Sequence, residues 1–453
     1  MPPRITVLGT GYLGATHAAC MAELGFEVLG LDANPDQVSA LAAGVLPFHE
    51  PELEELLRRG LGSGRLRFTT SYADAAAFGD VHFVCVGTPQ RADSSAADLS
   101  YILSCVDALA PLLTRPCLVV GKSTVPVGTA ELLAERLAQQ APAGAAAELA
   151  WNPEFLREGH AVADTVRPDR IVAGVSSARA EQILREVYAA PIADGVPFLV
   201  TALPTAQLVK VAANAFLATK VSFINAMAEV CEAVGADVVP LARALAHDQR
   251  IGGRFLVPGL GFGGGCLPKD IRAFGAAARE LGVGSVSALL DEVDAINLRR
   301  RARMVDLALE LAGGSLEGKT VCVLGCSFKP GSDDIRDSPA LDVAGTVHGL
   351  GARVTVYDPA AMDRARRQHP ELEYAGSLLE AATGADVLLL LTEWPEFVEA
   401  DPGVLGQAVA QRKIADGRSV LDADRWLAAG WRYRALGRPA APASTNSTIS
   451  VTG

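Results

Sequence analysis

The chain lacks an excess of positive charge, and this absence limits its partners. Its 453 residues carry 40 Lys and Arg against 52 Asp and Glu, which gives a formal net charge of −12. Nucleic acids and anionic membranes bind proteins through basic faces. Neither is expected as the main partner, and an anionic small ligand would have to bind through locally placed cations.

Targeting and membrane signals are also absent. The first residues, MPPRITVLG, lead directly into an apolar run, without the charged segment and cleavage site of a leader. No apolar run approaches the ~18 residues of a membrane span. The eight cysteines are scattered and have no C-x-x-C spacing. These observations predict a cytoplasmic protein with reduced thiols and without a bound metal.

What the chain does contain is a repeated alternation of strand and helix patterns. Short apolar runs occur twice in the same order, at residues 4–10, 26–32 and 81–89 and again at 319–325, 353–359 and 386–395. Such alternation is typical of parallel sheets with crossover helices. The sequence therefore predicts an α/β fold with two Rossmann-like, doubly wound parallel-sheet domains joined by a central helical segment.

The predicted domains follow from these patterns. Long, Ala-rich helical stretches at 204–249 and 285–312 separate the two sheets, and their apolar surface predicts a subunit interface. The alternative is a helix packed wholly within one chain. We predict an N-terminal NAD-binding Rossmann domain at 1–200, a central segment at 201–313, a C-terminal Rossmann-like domain at 314–437 and a disordered tail at 438–453.

A dinucleotide site is predicted at the first strand–helix junction. Gly9, Gly11 and Gly14 form G-x-G-x-x-G after a strand, and Asp32 closes the second strand. In this context the glycines admit a pyrophosphate and the carboxylate binds the ribose hydroxyls, which favours NAD over NADP. VGTP at 86–89 and KSTVPVGT at 122–129 also follow strands, although ordinary turn chemistry would explain both.

The segment GFGGGCLPKD at 261–270 places Cys266 between a glycine run and the start of a helix, with Asp270 one turn later. A helix N-terminus lowers the pKa of a thiol and raises its thiolate fraction. The sequence predicts a nucleophile here, while a buried, unreactive cysteine remains the alternative because no histidine lies nearby.

Further polar groups lie at helical spacing or at strand ends. Glu154 and Glu158 in NPEFLREG, and Lys210 and Asn214, are i,i+4 pairs that could each share one helix face. Salt-bridged helix surface is the alternative. Three other polar segments are RIGGRFL at 250–256, FKPGSDDIRDSP at 328–339 and ADGRSVLD at 415–422.

In combination these motifs resemble the UDP-glucose/GDP-mannose dehydrogenase family, enzymes that oxidise a nucleotide sugar to its acid. The likeness runs from about Ile5 to Leu436 and includes EPELEELL at 50–57. One departure is Gly265, where the family commonly has serine, and a looser turn is expected there.

The resemblance implies a two-step oxidation of UDP-glucose to UDP-glucuronate for polysaccharide biosynthesis, through a thiohemiacetal and a thioester on one cysteine. GDP-mannose and UDP-N-acetylmannosamine remain alternative substrates. Lys210 would stabilise the oxyanion beside Asn214, and Asp270 would hold a water that relays a proton. Glu154 and Thr124 would position or activate the hydrolytic water. An exchange of the base role between Asp270 and Glu154 remains an alternative. The implied catalytic residues are Cys266, Lys210, Asn214, Asp270, Glu154 and Thr124.

The resemblance also assigns binding residues, with NAD as the cofactor. Arg250 would reach the sugar from a neighbouring subunit, so a homodimer is expected. The implied cofactor residues are Gly9, Gly11, Tyr12, Leu13, Gly14, Asp32, Thr88, Thr124, Glu158, Lys269 and Arg336. The implied substrate residues come from the NPEFLREG segment, from the central segment and from a C-terminal domain that would bind UDP. They are Glu154, Phe155, Leu156, Lys210, Asn214, Arg250, Phe255, Leu256, Gly263, Phe328, Lys329 and Arg418.

Overall fold

The strands of the protein form from the short apolar runs, because strands covered on both sheet faces need apolar side chains. The computed structural model describes residues 2–439, so most of the predicted disordered tail lies outside the described residues. Within that range the strands are β1 (Ile5–Leu8), β2 (Val28–Leu31), β3 (Leu66–Thr69), β4 (Val81–Val84), β5 (Cys117–Gly121), β6 (Ala147–Trp151), β7 (Ile171–Gly174), β8 (Phe198–Thr201), β9 (Thr320–Leu324), β10 (Arg353–Tyr357), β11 (Glu373–Tyr374), β12 (Val387–Leu390), β13 (Lys413–Asp416) and β14 (Arg432–Ala435).

Helices connect these strands and cover the sheets. They are α1 (Tyr12–Glu23), α2 (Pro35–Ala42), α3 (Leu53–Gly62), α4 (Tyr72–Phe78), α5 (Ser100–Leu109), α6 (Thr129–Gln140), α7 (Ala161–Val166), α8 (Ala178–Val187), α9 (Ala189–Ala193), α10 (Leu203–Val234), α11 (Val238–Ala246), α12 (Leu267–Glu280), α13 (Gly284–Ala312), α14 (Pro339–Gly349), α15 (Met362–Gln368), α16 (Leu378–Ala382), α17 (Pro395–Val398), α18 (Pro402–Ala408) and α19 (Ala423–Ala428).

Both sheets have the strand order of a doubly wound fold. The first runs β3-β2-β1-β4-β5-β6-β7-β8, and its pairs are parallel except β6 with β7. The second runs β11-β10-β9-β12-β13-β14 and is parallel throughout. The order reverses at β1/β4 and at β9/β12, and ligands of such sheets bind at the carboxyl ends of the strands near this reversal. The predicted fold class is confirmed.

The chain divides into two compact units. The N-terminal unit comprises residues up to 215 and 269–288, and the C-terminal unit comprises 216–268 and 289 onward. Each has a sheet with apolar clusters packed on it, around Phe83 and Trp151 in the first unit and around Val323 and Trp426 in the second. The predicted boundaries at residues 200 and 313 stay predictions.

Helix α10 is long and apolar, although the sequence predicted no segment that approaches a membrane span. By length and composition alone its 32 residues could cross a membrane, with a mean hydropathy of 1.3 in the most apolar window, and half of that window is buried inside the protein. A buried core helix meets the same criteria, so this property does not by itself indicate a membrane segment.

Candidate active site

The glycine-rich turn after β1 has the shape that a dinucleotide phosphate needs. Gly9 has a φ of +85°, and a Cβ there would meet Val86 at 2.8 Å. Gly14 packs so closely on the carbonyl of Gly9 that a Cβ would overlap it. Gly11 is the N-cap residue of α1; it has open space around it and, as a glycine, has no side chain that could cap the helix. The first N–H groups of α1 therefore suit an anionic phosphate.

Asp32, at the end of β2, is held in place by the neighbouring backbone. Its Oδ2 accepts hydrogen bonds from Thr10 N at 2.7 Å and Thr10 Oγ1 at 3.1 Å, and its Oδ1 accepts one from Asn34 N at 3.0 Å. The carboxylate is half-buried beside the glycine-rich turn. This is the position from which a carboxylate binds the ribose hydroxyls of a dinucleotide, so the residues present fit NAD.

The strand ends after β4 and β5 border a cavity of about 310 Å³. Thr88 Oγ1 donates a hydrogen bond to the Thr124 carbonyl at 2.7 Å, which joins the two turns. Helix α12 contributes Lys269 and Asp270 to the same wall. The structure thus brings together four residues predicted for the site: Thr88, Thr124, Lys269 and Asp270.

The segment after β6 is a loop, and one prediction about it was wrong. Residues 152–160, here called the acid loop, are not helical, so Glu154 and Glu158 do not share a helix face. Pro153 follows Asn152 directly, and the residue before a proline is disfavoured in helices. Glu154 Oε2 accepts a hydrogen bond from Leu156 N at 2.6 Å within the acid loop.

The predicted substrate residue Phe155 also lies in the acid loop. Its ring lies under the guanidinium of Arg170, with 3.8 Å between the ring centroid and Cζ.

Glu154 forms a buried ion pair with α10. Lys210 Nζ lies 2.9 Å from Glu154 Oε1, and the two side chains are 6% and 13% exposed. Burial opposes ionisation of the Glu154 carboxyl, but the Lys210 ammonium and the Leu156 N–H outweigh it, so the pKa of Glu154 lies below its usual value. Glu154 is therefore a carboxylate at neutral pH.

A second buried pair lies one turn further along α10. Asn214 Nδ2 donates a hydrogen bond to Asp270 Oδ2 at 2.7 Å, and Lys269 Nζ lies 2.5 Å from Asp270 Oδ1. Lys210 and Asn214 lie on one helix, as their spacing predicted, and each holds a different carboxylate. Two oriented acids and a buried cation are groups that can move protons and stabilise an oxyanion.

Lys122 is a buried cation that the sequence analysis did not single out. Its Nζ donates hydrogen bonds to Asn152 Oδ1 at 2.8 Å and to Tyr188 Oη at 3.3 Å. Burial lowers its pKa to about 8, and the nearby Cys85 and Glu154 oppose that shift. A sequence signal was present, because a lysine directly after an apolar strand sits where only a satisfied charge is tolerated.

Cys266 lies in the C-terminal unit, directly before α12, whose first turn carries Asp270. Of the eight cysteines, all within residues 2–439, Cys266 alone is exposed, and none forms a disulfide. Burial raises the pKa of the buried thiols Cys85 and Cys105 to about 12. The accessible thiol is therefore the one that the sequence predicted as the nucleophile.

The glycine run before Cys266 is fixed by its neighbours. Asn297 Oδ1 accepts a hydrogen bond from Phe262 N at 2.8 Å, and Asn297 Nδ2 donates one to Phe262 O at 2.9 Å. Arg418 donates to the carbonyls of Gly261 and Phe328, both at 3.2 Å. Arg418 thus ties the cysteine loop to the segment after β9, and a direct contact with substrate stays a prediction.

The turn at Gly265 is filled, contrary to the expectation of a looser turn. A Cβ at Gly265 would collide with the guanidinium of Arg336. That guanidinium is held by Asp334, with Nε to Oδ1 at 2.9 Å and Nη2 to Oδ2 at 2.6 Å. The Arg336 guanidinium thus occupies the space into which a side chain at position 265 would extend.

The other predicted substrate residues lie on loops of the C-terminal unit. Phe255 has a φ of +64°, a strained conformation for this residue type that often marks functional loops, and Leu256 beside it is buried. Gly263 packs against Asp337, and Lys329 lies over the Phe328 ring at 5.6 Å. Arg250 is 89% exposed and pairs with Asp248.

Comparisons with known proteins identify the family of these sites. Three models of the UDP-glucose/GDP-mannose dehydrogenase family match the chain: the NAD binding domain at residues 3–192, the central domain at 204–299 and the UDP binding domain at 322–423. The UDP-glucose 6-dehydrogenase of Rhizobium meliloti is 41% identical over 96% of this chain and 100% of its own length.

Solved structures agree. A UDP-glucose dehydrogenase from the archaeon Pyrobaculum islandicum has a TM-score of 0.89 at 38% identity, covering 97% of this chain and 98% of its own. A UDP-D-ManNAc dehydrogenase from Pyrococcus horikoshii has a TM-score of 0.84 at 28% identity, covering 96% and 99%. The predicted enzyme class and cofactor are confirmed: the chain is an NAD-dependent dehydrogenase with a nucleotide-sugar substrate.

Replacing Asp32 with asparagine is expected to weaken the preference for NAD. Without the negative charge the site repels a 2′-phosphate less, while the amide still accepts from Thr10 N, so the ratio of kcat/KM for NAD over NADP should fall about tenfold. Steady-state kinetics with both cofactors measure this ratio. Asp36→Asn, an exposed acid on α2, is the matched control, and an unchanged ratio in Asp32→Asn would contradict the assignment.

Proposed function

This chain belongs to the UDP-glucose/GDP-mannose dehydrogenase family, and we propose that it oxidises UDP-glucose to UDP-glucuronate through a covalent intermediate on Cys266. The observation that carries the proposal is the exposed thiol of Cys266 at the start of the helix that holds Asp270. An alcohol dehydrogenase that performs a single oxidation has no need of a nucleophile. Oxidation to an acid must retain the aldehyde, and a thiolate can do this.

The proposed chemistry balances as follows. NAD, held at the glycine-rich turn, would supply the hydride acceptor for both oxidations. In the first, the sugar alcohol loses a hydride and a proton to become an aldehyde. The Cys266 thiolate then adds to the carbonyl carbon while the oxygen takes up a proton, which gives a thiohemiacetal. Loss of a second hydride and a proton gives a thioester, which one water hydrolyses to the carboxylate with release of a proton and the Cys266 thiol. One sugar nucleotide thus reduces two NAD.

The buried pairs of the N-terminal unit support the roles of its residues. Lys210 places a positive charge in a dry environment, which suits an oxyanion on the reacting carbon. Glu154 stays ionised beside Lys210 and can accept a proton from the hydrolytic water, with Thr124 as a positioning group. Asp270, oriented by Asn214, would hold a water that moves a proton in the oxidations.

UDP-glucose is proposed over other nucleotide sugars because the relatives named for it are the more similar ones. The Rhizobium enzyme is 41% and the Pyrobaculum enzyme 38% identical, against 28% for the UDP-D-ManNAc dehydrogenase. The loops proposed to bind the nucleotide and sugar carry Phe255, Leu256, Phe328, Lys329 and Arg418. Their cations would bind the diphosphate locally in an acidic protein.

A substrate panel tests the proposal. Purified protein with NAD and UDP-glucose should form two NADH per sugar nucleotide consumed, with UDP-glucuronate as the product. GDP-mannose and UDP-N-acetylmannosamine should be turned over at least about 100-fold less efficiently, which corresponds to about 2.7 kcal/mol of discrimination. Absence of turnover with UDP-glucose, or more efficient turnover of another sugar nucleotide, would contradict the assignment.

We also propose that the enzyme acts as a homodimer in the cytoplasm and supplies UDP-glucuronate for polysaccharide biosynthesis. Exposed apolar side chains recur along α10 at a spacing of four to seven residues, which keeps them on one side of the helix: Phe216, Phe223, Val230 and Val234. A second copy would cover this surface. Arg250, exposed on its own chain, would then contact the sugar bound by the partner.

A further inference from the structure

Glu50 is a buried acid in the N-terminal unit for which the proposed chemistry has no use. It lies in the loop between α2 and α3 and is 4% exposed. Its Oε2 accepts a hydrogen bond from Tyr12 Oη at 2.5 Å and another from Gly159 N at 2.7 Å. Its Oε1 accepts one from Ala161 N at 2.7 Å. One carboxylate therefore joins two segments that are distant in the sequence.

The two segments are the ones that carry the cofactor and the acid. Tyr12 begins α1 directly after Gly11 of the glycine-rich turn. The acid loop ends and α7 begins at Gly159 to Ala161. The N-cap residue of α7 is His160, and its side chain does not cap the helix. The Glu50 carboxylate supplies the missing acceptor there.

The start of the acid loop is held separately. Asn152 Nδ2 donates a hydrogen bond to Val172 O at 2.8 Å, and Asn152 Oδ1 accepts from Lys122 Nζ at 2.8 Å. The loop that positions Glu154 is thus anchored at both ends. Its far end is held by Glu50 and also by the hydrogen bonds that Arg157 donates to Asp164. The Glu50 anchor is shared, through Tyr12, with the turn that binds the dinucleotide.

The backbone around Glu50 is constrained. Glu52 has a φ of +65°, a conformation that costs a non-glycine residue energy and persists only where surrounding contacts enforce it. The ring of Phe48 packs on the ring of Tyr12 with centroids 5.0 Å apart. Both features limit the movement of the Glu50 loop relative to Tyr12.

We propose that Glu50 is a positioning residue that couples the glycine-rich turn to the acid loop, so that binding of the dinucleotide orders the loop that carries Glu154. A carboxylate suits this role because it only accepts hydrogen bonds, and all three of its partners are donors. Burial and the hydrogen bond to Glu50 raise the pKa of Tyr12, so its phenol is protonated at neutral pH and can donate to the carboxylate.

The proposal rests on the proposed function only in the role given to Glu154, and its main test needs no turnover. Hydrogen exchange of peptides covering residues 157–163 is measured with and without saturating NADH. In the parent chain NADH should slow exchange at Gly159 and Ala161 about fivefold or more.

In Glu50→Gln the amide nitrogen faces a donor, so exchange without NADH should be about tenfold faster and the response to NADH should be lost. Glu54→Gln removes the same charge from an exposed position on α3 and should behave like the parent. A response to NADH in Glu50→Gln equal to that of the parent would overturn the proposal.

Tyr12→Phe removes the shared hydroxyl but leaves the contacts of Glu50 with Gly159 and Ala161. Exchange without NADH should stay within about twofold of the parent, while the response to NADH weakens. If Glu50→Gln does not fold, Tyr12→Phe tests the proposal instead. A response of its exchange rates to NADH equal to that of the parent would refute the coupling. The Kd for NADH, from fluorescence, should rise about fivefold in both variants.

Kinetics separate positioning from general stability. With UDP-glucose as substrate, Glu50→Gln should raise KM for NAD and lower kcat, each about fivefold or more, and leave KM for UDP-glucose unchanged. A variant that only lowers the melting temperature, with kcat and both KM values within about twofold of the parent, would show a structural role alone. Failure of the proposed substrate would leave the exchange and NADH results unaffected.

Discussion

Cys266→Ser is expected to abolish formation of the sugar acid, with a fall in the rate of at least about 10³-fold. Serine is nearly isosteric, but its hydroxyl is not ionised near neutral pH, and residues 261–270 contain no histidine that could activate it. The expected readout is UDP-glucuronate measured by chromatography, together with the number of NADH formed per sugar nucleotide. This number should be two in the parent and no more than one in the variant.

The control for this change is Cys231→Ser, which makes the same substitution at a buried cysteine on α10. It should keep both the acid product and the parent stoichiometry. Intact-mass analysis after mixing with substrate should show a sugar-nucleotide adduct on the parent and none on Cys266→Ser. Full conversion to the acid by Cys266→Ser would overturn the covalent mechanism and favour direct oxidation of a hydrated aldehyde.

The fold could be predicted because its strands are short apolar runs that end in a characteristic residue. Asp32 and Asp358 follow second strands in the two sheets, and Gly9 and Gly325 follow first strands. Other strands were not predicted. Edge strand β8 (Phe198–Thr201) has largely exposed side chains and so leaves no buried run. The buried strands β6 and β7 were missed as well, so burial alone did not make a strand recognisable.

The site was only partly predictable, because its partners come from distant segments. The spacing of Lys210 and Asn214 predicted a shared helix, but their carboxylate partners Glu154 and Asp270 depend on tertiary packing. No pattern in the sequence indicates that Arg418 donates to the carbonyls of Gly261 and Phe328. Contacts to backbone carbonyls leave no pattern in residue type, so such roles appear only in the structure.

Buried charges show the same limit. Glu50 begins the EPELEELL motif. The residues next to it in the sequence do not indicate that it is buried, or that it accepts hydrogen bonds from Tyr12 and Gly159. Asp416, at the end of β13, is fully buried and accepts from Arg418 N at 2.9 Å and Leu421 N at 2.8 Å. Because its charge is buried, its pKa lies above its usual value despite these bonds. A charged residue at the end of a buried strand is the signal that could have identified it.

Lys210→Met is expected to lower kcat about 10²- to 10³-fold at neutral pH and to shift the pH profile. Two effects combine. The variant loses the cation proposed to stabilise the oxyanion, and Glu154 loses the ammonium that keeps it ionised. Because burial is the largest influence on the Glu154 carboxyl, its pKa should then rise above its usual value, and the carboxyl should take up a proton.

The sign of the pH effect follows from this shift. In the parent the pKa of Glu154 is depressed, so activity that needs the carboxylate is lost only in acid. In Lys210→Met the loss should begin at higher pH, so kcat should rise with pH between 5 and 7.5 where the parent is nearly flat, each pH unit below the new pKa giving about a tenfold loss. This window lies below the pKa of Lys122, about 8, so most of that second cation remains protonated across it.

Two further variants separate catalysis from the cost of an unpaired buried charge. Lys210→Met should lower the free energy of unfolding by about 3–5 kcal/mol, because Glu154 is left without its partner. The double variant Lys210→Met/Glu154→Gln should recover much of that stability, since both charges are gone, but none of the activity. Lys319→Met, the same substitution in the C-terminal unit, should leave kcat and the pH profile unchanged. Recovery of kcat in the double variant would show that Lys210 acts only by neutralising Glu154. A kcat of Lys210→Met within about fivefold of the parent would contradict the catalytic role proposed for Lys210.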